Sequence, residues 1–122
     1  MAKTILAVDD SASMRQMVKL TLSTAGYQVV EAADGREALA KAKSGVFNMV
    51  LTDLNMPNMD GLTLIRELRT LASYRGIPIV FLTTESGTDK KAEAKAAGAT
   101  AWIVKPFQQD QLLGLVRKII GA

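Results

Sequence analysis

Four apolar runs in this chain stop at residues that can do chemistry, and the set consists of oxygens and one amine. Residues 5–8 run into Asp9-Asp10, residues 49–51 lead to Asp53, residues 79–82 end at Thr83, and residues 102–104 end at Lys105. Taken singly, each has an ordinary reading: acids and hydroxyls after strands cap the next helix, and a lysine before proline is a solvated charge. Taken together they describe one pocket. Three crowded carboxylates repel one another unless a cation sits between them. Oxygen-only donors without imidazole suit a hard ion, above all magnesium, which keeps several waters and leaves room for a phosphate oxygen. An ammonium and a hydroxyl facing the same point complete a phosphoryl-transfer site, since the transferring group spreads its charge over three oxygens. A carboxylate can itself be the nucleophile, forming an acyl phosphate. Asp53 is the central candidate for that role, with Asp9 and Asp10 as metal ligands.

Short apolar runs and helix-period segments must alternate for these residues to meet, and they do so from end to end. Residues 5–8, 28–30, 49–51, 79–82 and 102–104 read as buried parallel strands, the second being the weakest. Between them, Met14, Met17, Val18 and Leu22 stripe a first helix stopped by Gly26. Asp34 and Glu37 form a capping box for a second, ended by Gly45. Leu64, Ile65, Leu68 and Leu71 stripe a third, entered through Asp60-Gly61. A fourth, over about residues 88–97, offers mainly alanines and is expected to be lightly anchored. Leu112, Leu113, Val116, Ile119 and Ile120 stripe the last. Five βα units with right-handed crossovers predict an α/β, flavodoxin-like doubly wound fold with strand order 2-1-3-4-5, whose ligands sit at the carboxyl ends of the strands.

Composition narrows the chemistry further. The 122 residues suit one domain, predicted to span 1–122 without an effector module. With no Cys and no His, the chain lacks disulfides, thiolate nucleophiles, Ser-His-Asp triads and the usual zinc ligands. The net charge of +3 is dispersed, and aromatics are only 5%, so neither a basic run nor a base-stacking platform points to nucleic acid. No signal-peptide core or membrane-length stretch is present, and a cytoplasmic, monomeric protein is expected.

The motifs resemble those of response-regulator receiver domains over the full length, and most closely the single-domain chemotaxis type. They are the pair Asp9-Asp10, the segment Asp53-Leu-Asn-Met-Pro-Asn-Met-Asp-Gly61, Thr83-Thr-Glu85 and Lys105-Pro106-Phe107. The resemblance implies that Asp53 is the phosphoacceptor, that Asp10, Asp53 and the Asn55 carbonyl hold magnesium, and that Asp9 acts mainly through water. It implies that Thr83 and Lys105 hold the phosphoryl group, that Asn55 and Glu85 tune its lifetime, and that the Lys105–Pro106 bond is cis. Trp102 takes the aromatic switch position, usually Tyr or Phe. Leu54 replaces a common Trp, which leaves Trp102 as the single tryptophan. The implied partners are a histidine kinase as phosphodonor and a target such as the flagellar motor switch or a phosphatase. Lys90, Lys91, Trp102 and Lys118 are expected to form the target surface.

Three other functions compete. A haloacid-dehalogenase-type magnesium phosphohydrolase also uses a strand-end Asp, but needs a second Asp two residues on, where Asn55 stands. A flavin carrier of the same fold class would want a phosphate-cradling loop after the first strand, where Asp9-Asp10 repels phosphate. A degenerate scaffold would not need the complete acidic set. Within the receiver reading, a phosphorelay shuttle is the alternative to target binding. Either way the chain is a phosphoacceptor that promotes its own phosphorylation and dephosphorylation, not an enzyme acting on a separate substrate.

Overall fold

Runs of three or four residues are too short to make a helix, and all five lie in parallel strands: β1 (Thr4–Val8), β2 (Gln28–Ala32), β3 (Met49–Thr52), β4 (Ile79–Thr83) and β5 (Ala101–Val104). The computed structural model describes residues 2–84 and 87–121. Helices α1 (Ala12–Thr24), α2 (Gly35–Ser44), α3 (Gly61–Thr70), α4 (Thr88–Ala97) and α5 (Gln109–Ile120) alternate with the strands. The sheet order is β2-β1-β3-β4-β5, all pairs parallel, as the crossover argument predicts. Val8 pairs with Thr52 and Thr83 with Val104, so the chemistry-bearing residues leave the sheet at one edge.

The two-residue period of the strands sorts their side chains into two cores. Leu6, Val8, Val50, Ile79 and Phe81 meet α2, α3 and α4 on one face. Ile5, Ala7, Met49, Leu51, Val80 and Leu82 meet α1 and α5 on the other. The helices are unequally held. α3 buries Leu62, Leu64, Ile65 and Leu68, each contributing about 2 kcal/mol, whereas α4 buries only Ala94. The expected light anchoring of α4 follows from that difference. Two details depart from the pattern. Leu71 follows α3 in extended conformation instead of extending its stripe, and a single 3-10 turn, Ala72–Tyr74, comes next.

Arg69 supplies an anchor for α4 that its alanines do not. Its guanidinium donates to the carbonyls of Tyr74 (2.5 Å) and Ile77 (2.7 Å), and across to Gly98 (2.7 Å) at the end of α4. Burial lowers its pKa. Gly98 has φ +108°, a left-handed conformation that favours glycine, and a Cβ there would also crowd Arg69 Nε at 3.0 Å. Arg69→Met keeps the aliphatic stem but leaves these carbonyls without their donor. Its thermal midpoint should fall by roughly 5–10 °C, with faster hydrogen exchange in α4. An unchanged midpoint would mean that water replaces the guanidinium without loss.

Candidate functional site

Asp9 and Asp10, Asp53, and Lys105 come to the site from just beyond the ends of β1, β3 and β5. The Asp53 N–H donates to Val8 O (2.9 Å), which extends the β1–β3 pairing past the last strand residue and fixes the start of the Asp53 side chain. The Lys105 N–H does the same with Thr83 O (2.8 Å). Gly61 lets α3 begin against this backbone: a Cβ there would lie 2.3 Å from Asp53 O and 2.6 Å from the Phe81 ring. The Lys105–Pro106 bond is cis, as expected.

Carboxylate oxygens of Asp9, Asp10 and Asp53 lie within 4.8 Å of one another. Lys105 bridges two of them, its Nζ standing 2.6 Å from Asp9 Oδ2 and 3.3 Å from Asp53 Oδ2. These three side chains form a buried floor, only 8%, 10% and 13% exposed for Asp9, Lys105 and Asp53. Asp10 and Asn55 are exposed above it. The second oxygens are held as well: Asp9 Oδ1 accepts from the Ser11 N–H (2.9 Å) and Asp53 Oδ1 from the Leu54 N–H (2.7 Å). Two carboxylates 4.8 Å apart repel by roughly 3 kcal/mol at an effective dielectric constant of about 20. One ammonium among three carboxylates leaves negative charge uncompensated. The donor set, all oxygen and partly open to solvent, fits a hard divalent cation.

The alternative reading of these residues as helix caps does not hold for the first three helices. Ser11, Asp34 and Asp60 cap α1, α2 and α3, accepting from the N–H groups of Met14, Glu37 and Thr63. The acids at the ends of β1 and β3 are therefore available to the site. Lys105 is not a solvated charge, because it is nearly buried between two carboxylates. Thr83 is fully buried at the end of β4, and Leu54, 3% exposed, joins the core. Glu85 lies outside the described residues.

The residues expected to form a target surface lie on α4, β5 and α5. Trp102 is half-buried, with its ring centroid 5.7 Å from that of Phe81. It lies between a groove lined by Lys91, Ala94 and Lys95 and another lined by Asp110, Gly114 and Lys118. Lys90 is exposed on α4 but lines neither groove, whereas Lys95, not anticipated, does. Helix geometry explains this: Lys91 and Lys95 are four residues apart on one face, and Lys90 is turned away.

Sequence reasoning also overlooked Arg15. It donates from Nη1 to Asp9 O (2.6 Å) and from Nε to Glu31 Oε1 (3.2 Å), bracing the acid pair from α1 against β2. Its position was informative, three residues before Val18 and seven before Leu22, a charge on the buried face of a helix.

Comparison with known proteins agrees with this geometry. The response regulator receiver domain family matches residues 5–117. The chain is 41% identical over 119 residues to the chemotaxis protein CheY1 of Helicobacter pylori, covering 96% of each. The solved structure of CheY4 from Vibrio cholerae superimposes with a TM-score of 0.94 at 49% identity, covering 98% of this chain and 99% of that one. The receiver domain of the sensor histidine kinase PA1611 from Pseudomonas aeruginosa, solved with a magnesium ion in its active-site cleft, aligns at TM-score 0.91 and 28% identity, covering 100% of both chains. With its fold, its acidic cluster and its sequence in agreement, the chain belongs to the response-regulator receiver family, as a CheY-like member.

Proposed function

We propose that this chain is a phosphorylation-activated switch in which Asp53 accepts a phosphoryl group from a phosphohistidine of a histidine kinase. The observation that carries the reading is the Asp53 carboxylate held between the Leu54 N–H and Lys105, with two more carboxylates within 4.8 Å. In the transfer, an Asp53 oxygen bonds to phosphorus as the P–N bond breaks, and the leaving imidazole takes up a proton. Asp10, Asp53 and the Asn55 carbonyl would hold Mg2+, with Asp9 acting mainly through water. When bound, the ion supplies positive charge to the transferring oxygens. Lys105 is assigned to one of those oxygens, and the Thr83 hydroxyl to another. Asn55 and Glu85 are assigned to the lifetime of the acyl phosphate. Close likeness to CheY1 and CheY4 over nearly their whole lengths favours a single receiver domain, in the cytoplasm, with a chemotaxis target such as the flagellar motor switch. The direct test is intact-mass analysis after incubation with acetyl phosphate. One phosphoryl group should be added when Mg2+ is present and almost none after chelation; equal incorporation without Mg2+ would count against the reading.

Output is read at Trp102. Hydrogen bonding of the Thr83 hydroxyl to a phosphoryl group would draw the end of β4 inward and bias two pre-existing arrangements of Trp102 and the neighbouring α4–β5–α5 surface. Lys91, Lys95 and Lys118 on that surface favour an acidic target segment, although Asp110 moderates the charge on the α5 side. Mg2+ alone should barely change Trp102 emission, Mg2+ with beryllofluoride should change it clearly, and Thr83→Ala should suppress the second change. An undiminished response in Thr83→Ala would break the assigned coupling.

A further inference from the structure

We propose that Asp34 and Asn58 are positioning residues that lock the loop after β3, and with it the Asn55 carbonyl, in place for metal binding. The inference rests on the proposed function, and concerns how a ligand supplied by backbone is kept in register.

The loop, residues 54–60, leaves the site and returns. It is closed at its base by the Gly61 N–H donating to Leu54 O (2.8 Å). Its middle is exposed at Asn55, Pro57 and Asn58, with Met56 and Met59 packed only partly on the core. A backbone carbonyl cannot rotate independently of its chain, so its placement depends on the whole loop. Mg2+ demands ligands at about 2.0–2.1 Å in near-octahedral arrangement and tolerates little displacement.

The start of α2 holds this loop at two adjacent points. Asn58 Nδ2 donates to Asp34 Oδ2 (2.7 Å), and the Gly35 N–H donates to Met59 O (3.2 Å). The approach is close: a Cβ on Gly35 would lie 2.5 Å from Met59 O and 2.8 Å from Met59 Cβ. Asp34 is itself fixed, since its Oδ1 caps α2 by accepting from the Glu37 N–H (2.9 Å). These hydrogen bonds lower its pKa, keeping it ionised as an acceptor. Asn58 takes φ +67°, a left-handed conformation that asparagine adopts more readily than most residues and that here brings its amide to Asp34. The link therefore runs from β2 through the α2 cap and Asn58 to the metal loop, on the opposite side of the site from Lys105.

The test uses three variants and Mg2+ alone, followed by NMR titration of the Leu54 and Asn55 amides, with thermal melts run alongside to establish folding. Asn58→Gly keeps the left-handed backbone and deletes the link. Asn58→Asp sets two carboxylates against each other. Asp34→Asn/Asn58→Asp restores a complementary pair with the parent's charge and an effective N-cap. Both single variants should bind Mg2+ roughly 10-fold more weakly, the range seen when support behind a metal ligand is lost. For Asn58→Asp that direction opposes the long-range attraction of its added negative charge. The double exchange should return to within about twofold of the parent. Single variants that bind like the parent, or a double exchange as weak as Asn58→Asp, would overturn the positioning role. A parent that binds no Mg2+ would instead overturn the proposed function itself, so the two failures are distinguishable.

Discussion

Asp53→Asn is expected to take up no detectable phosphoryl group from acetyl phosphate with Mg2+, while folding as well as the parent. An amide nitrogen has no nucleophilic lone pair to offer, because its electrons are delocalised into the carbonyl. The surrounding structure survives the exchange. The Asn oxygen still accepts from the Leu54 N–H, and Lys105 keeps Asp9 at 2.6 Å. One negative charge also leaves a crowded cluster, so apo stability should not fall. No neighbour is placed to substitute. Of the two acids that Lys105 pairs with, Asp9 is the less exposed and is held more closely, at 2.6 Å against 3.3 Å for Asp53. Asp10 is exposed, and among the described residues no lysine ammonium is paired with it in the way Lys105 is paired with Asp9 and Asp53. Intact-mass analysis decides the point: incorporation into Asp53→Asn comparable to the parent would move the phosphoacceptor elsewhere.

How much of this was legible in the sequence depends on the range of the interaction. Strand order, the helices and the convergence of Asp9, Asp10 and Asp53 follow from periodicity and crossover handedness, because the sheet is buried on both faces and its apolar runs are nearly continuous. The limits of α4 follow from the same pattern. The bracing around the site was less legible. Arg15, Arg69 and Asn58 act through backbone carbonyls or a distant acid, and a carbonyl acceptor carries no residue-type signal. Arg69 nevertheless gave a warning of the kind Arg15 gave, standing four residues after buried Ile65 and seven after buried Leu62. A cation on an apolar helix face needs acceptors nearby. Asn58 gave none, since its left-handed backbone becomes evident only once the loop has been folded against α2.

The apo site should be most sensitive to loss of Lys105. Lys105→Met retains the length and apolar stem of the side chain but leaves the buried Asp9 and Asp53 facing each other without the ammonium between them. Removing one partner from a buried ion pair costs more than the pair contributes, because the remaining charge stays desolvated. A loss of about 3 kcal/mol is expected, lowering the apo thermal midpoint by roughly 10 °C. Mg2+ should narrow the gap, because a divalent cation among the same carboxylates restores the missing positive charge. Phosphorylation should not recover in parallel. Lys105 is assigned to an oxygen of the transferring group, and loss of one such donor slows transfer by about 100-fold even when the fold is restored. Melting with and without Mg2+, alongside the acetyl phosphate labelling rate, separates the two roles. A variant that melts at or above the parent without Mg2+ would mean that burying the ammonium costs as much as it returns. One that labels at the parental rate in Mg2+ would remove Lys105 from the transfer step and leave it a purely electrostatic support for Asp9 and Asp53.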